Sequence, residues 1–134
     1  YCRANPDLQI ERLMQRYVPA LTQDEAAAYD APFPDASYKT GVRRFPEMVM
    51  TTPNMGGTDI SKQAIEYLST AWQGQSFIAI GMQDPVLGPE VMTTLQASIR
   101  GCSPPLEIAN GGHFLQEWGQ PVARAALTRW GDLE

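Results

Sequence analysis

At 134 residues, 43% hydrophobic and 19% charged, the chain carries enough apolar side chains for a modest core of ordinary globular type. A formal charge of −5 and an isoelectric point near 4.8, without any run of Lys or Arg, argue against nucleic acid and against an anionic membrane surface as partners. No apolar stretch reaches the roughly 20 residues of a bilayer span, and the opening Tyr1-Cys2-Arg3-Ala4 lacks a signal-peptide core.

Eleven glycines and eleven prolines are spread along the chain and cut it into short elements, which favours mixed helix and strand over a helical bundle. Cys2 and Cys102 fit neither a metal-ligand spacing nor a dense disulfide framework. Two idle or buried thiols in a reducing, cytoplasmic compartment are expected, with a single bridge as the alternative. A start at Tyr1 rather than at an initiator methionine reads as a piece cut from something longer.

The first helix is expected to open with Asn5 as N-cap, Pro6 at the first helical position and Asp7 in the first turn. Leu8, Ile10, Leu13, Met14, Tyr17 and Val18 then supply an apolar face until Pro19. Thr22-Gln23-Asp24-Glu25 has the form of a capping box for a short alanine-rich helix ending before Pro32. Pro32-Phe33-Pro34-Asp35 reads as a stiff turn, and a third helical segment runs from Ala36 to about Arg44, where Phe45-Pro46 interrupts it. After the loose 52–57 stretch a fourth helix starts near Thr58 or Asp59 and carries Ile60, Ala64, Ile65, Leu68 and Trp72.

The grammar then changes. Ser76-Phe77-Ile78-Ala79-Ile80-Gly81-Met82 is a short apolar run of the kind found in strands buried on both faces. Gly88-Pro89-Glu90 starts a helix with Val91, Met92, Leu95 and Ile99 as its buried stripe and Gly101 as its cap. Leu106-Glu107-Ile108-Ala109 is a second strand, so the order strand, helix, strand points to a parallel crossover unit. A last helix, from about Trp118 or Gln120 to Arg129, packs back on the sheet through Val122, Ala125, Ala126 and Leu127.

Parallel strands joined by crossovers place their carboxyl ends on one edge, where such folds bind ligands. Asp84 and His113 each follow a strand and so converge there. A carboxylate that holds one imidazole nitrogen leaves the other to take a proton from water or from a nucleophile. The bland alternatives are a turn-forming aspartate before Pro85 and a capping histidine. Gly111-Gly112 before the single histidine offers backbone conformations closed to other residues, which a tight turn would use equally well. Asp24, Glu25, Glu117, Asp132 and Glu134 read as helix-end or solvated charges. One histidine and two distant cysteines make no metal set, and no phosphate-binding glycine loop is present. Phe45, Pro46, Met48, Val49, Val86 and Leu87 are either pocket walls or ordinary core.

Several stretches resemble the last third of haloalkane dehalogenases, most of all the dichloroethane-degrading type: Ala79-Ile80-Gly81-Met82-Gln83-Asp84, Leu87-Gly88-Pro89-Glu90-Val91-Met92 and Gly112-His113-Phe114-Leu115-Gln116-Glu117. Leu21-Thr22, Ala31-Pro32-Phe33-Pro34-Asp35, Ser37-Tyr38, Gly41-Val42-Arg43 and Phe45-Pro46 resemble that family's helical cap. The resemblance implies an α/β class: residues 1–73 as part of a helical cap, followed by 74–134 as the C-terminal part of an α/β-hydrolase fold. It implies hydrolysis of a small halogenated hydrocarbon by water through an alkyl-enzyme ester, without a cofactor. His113 would activate the water, Asp84 would orient His113, and Phe45, Pro46, Val49, Val86 and Leu87 would line the halocarbon pocket. The attacking aspartate, the oxyanion donors and both halide-binding tryptophans would lie upstream of Tyr1, in a missing N-terminal half that acts as the partner of this chain. Trp72, Trp118 and Trp130 are then packing or capping residues. Epoxide hydrolases share the Asp, His, Asp logic and add cap tyrosines, for which Tyr17, Tyr29, Tyr38 and Tyr67 are available. A non-catalytic ligand-binding protein of the same fold is the other alternative.

Overall fold

The computed structural model describes residues 4–131. The expectations for Cys2, Asp132 and Glu134 fall outside the described residues. The chain divides into two compact units, Tyr1–Thr58 and Asp59–Glu134.

In the first unit, α1 (Ile10–Tyr17) and α2 (Gln23–Asp30) pack together. Ile10, Met14 and Val18 recur every four residues and are buried with Leu8, and Ala26 of α2 is buried alongside them. A methyl at position 26 takes up little room at a helix contact, so two short helices can close on each other. The capping box at α2 is present: the Thr22 hydroxyl accepts from the Glu25 amide, and the Glu25 carboxylate accepts from the Thr22 amide at 2.8 Å.

Two helix starts differ from the sequence expectation. α1 begins at Ile10, not behind an Asn5 cap, because residues 4–7 form a turn. The Asp7 carboxylate instead takes the Lys39 ammonium at 2.9 Å, and the Ile10 amide is capped from another element by Asp30 Oδ1 at 3.1 Å. The third helix, α3 (Thr40–Arg44), starts four residues later than Ala36. Asp35 Oδ1 accepts from both the amide and the hydroxyl of Ser37, a local turn that competes with helix over 36–39. At Pro46 the backbone tightens into a 3₁₀ turn, Phe45–Met48, as a proline lacking a donor requires.

Helix α4 (Thr58–Thr70) lies in the second unit from Asp59 onward. Its carboxyl end is tied down by the Arg100 amide on the Leu68 carbonyl, and the Arg100 guanidinium reaches the Thr70 carbonyl. Strand β1 (Ala79–Gly81), helix α5 (Pro89–Ala97) and strand β2 (Leu106–Ile108) follow. The strands pair in parallel, Ala79 with Leu106 and Gly81 with Ile108. β1 is shorter than the apolar run 76–82 because it has one partner among the described residues. Ladder bonds nevertheless extend it, from the Leu106 amide to the Ile78 carbonyl and from the Met82 amide to the Ile108 carbonyl. Ile78 and Ile80 are buried, whereas Val91 and Leu95, expected in the buried stripe of α5, are exposed. The stripe also ends early: α5 stops at Ala97, and Gly101 takes positive φ in the turn beyond it. A 3₁₀ turn, Leu115–Trp118, leads into α6 (Gly119–Trp130), which Gly131 closes in the left-handed conformation. Trp130 packs edge-on against Phe77, just ahead of β1.

Candidate active site

The parallel register brings the segments after β1 and β2 side by side, and the two residues singled out from the sequence meet there. His113 Nδ1 lies 3.0 Å from Asp84 Oδ1 and 3.1 Å from Oδ2. Asp84 Oδ1 also accepts from the amides of Val86 at 2.8 Å and Leu87 at 3.0 Å. The turn expected at Asp84 and its contact with the imidazole therefore coexist in one geometry. The carboxylate builds the turn before α5 and, held by that turn, faces the imidazole. Its side chain is 7% exposed, against 30% for His113, so the acid is shielded while the ring keeps a route to the surface.

Burial by itself would raise the Asp84 carboxyl. The Val86 and Leu87 amides, with the hydrogen bond and charge of His113, outweigh it and hold the pKa below the ordinary aspartate value. An ionised Asp84 selects the tautomer with the proton on Nδ1 and puts the lone pair of His113 on Nε2. In that tautomer Nε2 is the nitrogen able to accept a proton.

The close fit depends on glycine in a way the sequence did not indicate. Gly111 does not use a left-handed backbone; positive φ occurs at Gly57, Gly101 and Gly131. What matters is space. A Cβ on Gly81 would sit 2.6 Å from the Gly112 oxygen and 2.8 Å from the Gly111 oxygen, and one on Gly111 would meet Ile108 and Leu115 below 3.0 Å. The loop after β2 is also tied to the loop after β1 by Gln83. Its amide donates to the Gly111 carbonyl at 2.8 Å, and its side chain donates to the Ala109 carbonyl at 3.2 Å. Sequence reading passed over Gly81 and Gln83, since an apolar strand end and a polar residue before aspartate carry no chemical signal of their own.

The apolar candidates do not pack as core. In the first unit Phe45 and Val49 are 72% and 57% exposed, and Pro46 is exposed in the 3₁₀ turn. In the second unit Val86 and Leu87 are 54% and 47% exposed and touch the site through their amides. No group of three or more His, Cys, Asp or Glu side chains among the described residues could hold a metal ion. A cavity of about 710 Å³ opens beside Asp7, Arg12 and Arg16 in the first unit. Neither Asp84 nor His113 lines it.

Parallel strands joined through a helix, with a carboxylate after one and a histidine after the next, fit the C-terminal part of an α/β-hydrolase fold. The chain belongs to the haloalkane dehalogenase family. It is 39% identical over 110 residues to a haloalkane dehalogenase of Psychrobacter cryohalolentis, covering 80% of this chain and 36% of that protein. A second, from Mycolicibacterium paratuberculosis, is 29% identical over 131 residues, covering 97% of this chain and 43% of the relative. The structure matches that of haloalkane dehalogenase DpaA from Paraglaciecola agarilytica NO2, described as tetrameric, with a TM-score of 0.87 and 41% identity over 95% of this chain and 43% of that one. No protein-family profile matches the chain. The chain spans about two fifths of the length of these relatives. Among the described residues no helix is long and apolar enough to cross a membrane.

Proposed function

We propose that this chain supplies the acid–base part of a haloalkane dehalogenase, which hydrolyses the carbon–halogen bond of a small haloalkane to an alcohol and a halide ion. The observation that carries the reading is the Asp84–His113 pair at 3.0 Å, with Asp84 anchored by two backbone amides. In this reading a carboxylate nucleophile outside the chain attacks the halogen-bearing carbon. An ester bond forms as the carbon–halogen bond breaks, and the halide leaves with the bonding pair. His113 Nε2 then takes a proton from water as the water oxygen attacks the ester carbonyl, and Asp84 stabilises the resulting imidazolium; the acyl–oxygen bond breaks, the imidazolium returns the proton to the departing alcohol and the carboxylate is regenerated. In the second unit Val86 and Leu87, just after Asp84, supply apolar side chains that exclude excess water from the halocarbon, and in the first unit Phe45, Pro46 and Val49 are the substrate-binding candidates. Residues 1–73 belong to a helical cap and 74–134 to the C-terminal part of the hydrolase core, with the N-terminal half of the same protein as partner.

The test is halide release from 1,2-dichloroethane and 1-bromobutane after the upstream half is restored, with His113→Gln beside the intact protein. The intact protein turns over repeatedly. The variant stops at one equivalent of halide, because the ester forms and is not hydrolysed. Absence of release from the intact protein, or full turnover in the variant, refutes the assignment.

A further inference from the structure

His113 lies four residues after Ala109, behind Gly111 and Gly112. Such a segment brings few side-chain restraints of its own, yet the imidazole is held within 3.0 Å of Asp84. Restraint comes from the segment that also carries the acid. The Met82 amide holds the Ile108 carbonyl at 3.0 Å, the Gln83 amide holds the Gly111 carbonyl at 2.8 Å, and the Gln83 carboxamide holds the Ala109 carbonyl at 3.2 Å. The first two are main-chain bonds that nearly any residue could make. The third needs a donor at the end of a long side chain, and it is what glutamine adds at position 83.

We propose that Gln83 is a positioning residue, whose carboxamide fixes the loop bearing the base against the loop bearing the acid and so presents His113 Nδ1 to Asp84. The proposal rests on the reading of His113 as the base. Gln83 is exposed, so replacing its side chain removes the tether without opening the core. Its main-chain bond to Gly111 stays in place. Loss of the carboxamide bond lets the 109–112 loop drift, and the imidazole proton is no longer committed to Nδ1.

The chain holds a single histidine, so its imidazole ¹H–¹⁵N signals need no assignment. In the neutral form of the unmodified chain the Nδ1–H tautomer dominates. Gln83→Met, of similar length and without a donor, moves the ratio of Nδ1–H to Nε2–H about fivefold toward Nε2–H, the size of one ordinary net hydrogen bond. Gln83→Lys, which again offers a donor, restores the ratio. A ratio unchanged in Gln83→Met, or altered to the same extent in Gln83→Lys, overturns the positioning role and leaves the base reading intact. An unmodified chain protonated on Nε2 overturns the base reading itself, which separates the two failures.

Discussion

Replacing Asp84 by asparagine and by alanine separates what its carboxylate does for the fold from what it does for the histidine. In the native chain Asp84 accepts from the Val86 and Leu87 amides and from His113. The two amide bonds lie at an exposed turn, so each contributes about 1 kcal/mol net, and the shielded bond to His113 about the same or somewhat more. Alanine loses all three and costs about 3 kcal/mol. Asparagine keeps an oxygen for the two amides and costs about 1 kcal/mol, but its NH₂ donates to Nδ1 and drives the proton to Nε2, the tautomer unfit to act as base there. Urea unfolding of the chain reads the first effect, with a midpoint for Asp84→Ala lower by roughly 1–2 M. Halide turnover in the restored protein reads the second, with a loss in Asp84→Asn on the order of 10³- to 10⁴-fold, as expected for a histidine held in the wrong tautomer. The pH dependence supplies a control. The folded Asp84 pKa is depressed, so its contribution is fully present above the unfolded aspartate value of about 3.9 and is lost as pH falls through the folded value below it. The stability gap between native chain and Asp84→Asn is therefore flat above about pH 4 and closes in stronger acid. Equal destabilisation by Asn and Ala, or a gap that does not close in acid, would refute the reasoning.

Three further variants test other contacts. Lys39 is 4% exposed and its ammonium faces Asp7 at 2.9 Å and Asp30 at 3.8 Å, whereas the Asp7 side chain is 73% exposed. Lys39→Met therefore costs about 1 kcal/mol or less, while Asp7→Asn combined with Asp30→Asn leaves a buried cation without a counter-charge and costs about 3 kcal/mol or more; denaturant midpoints in the reverse order would sink the argument. Gly81→Ala forces a Cβ against backbone oxygens of Gly111 and Gly112 that cannot rotate away. It should cost about 1–3 kcal/mol and broaden or shift the His113 imidazole signals, and a chain as stable as the native one with an unchanged imidazole would show that the two loops are not held at van der Waals limits.

How much was legible beforehand follows the range of the interactions. The Thr22–Glu25 box and the break at Pro46 rest on contacts within a few neighbouring residues, and the parallel strand pair on the order strand, helix, strand; each formed as expected. The start of α1 did not. Asn5-Pro6-Asp7 satisfies every local rule for a helix opening, but Asp7 is drawn to a lysine 32 positions away and the helix is capped by an aspartate 20 positions away. Similarly, Ile60, Ile65, Val91 and Leu95 were placed correctly on α4 and α5 yet stay exposed, while Trp72 and Ile99, expected in the same stripes, lie beyond the helix ends, because periodicity shows which face is apolar and not what covers it or where the helix stops.

The amino-acid sequence by itself determined the alternation of helix and strand, and it put one carboxylate and the single histidine just past two strands of one crossover unit. Those are consequences of period, turn chemistry and chain order. Only the tertiary structure decided that Asp84 and His113, 29 positions apart, come within 3.0 Å of each other. The physical reason is that the separation is set by strand register, by the lack of a Cβ at Gly81 and by the amide and carboxamide of Gln83 reaching across to the next loop, and none of these leaves a local trace in the order of residues.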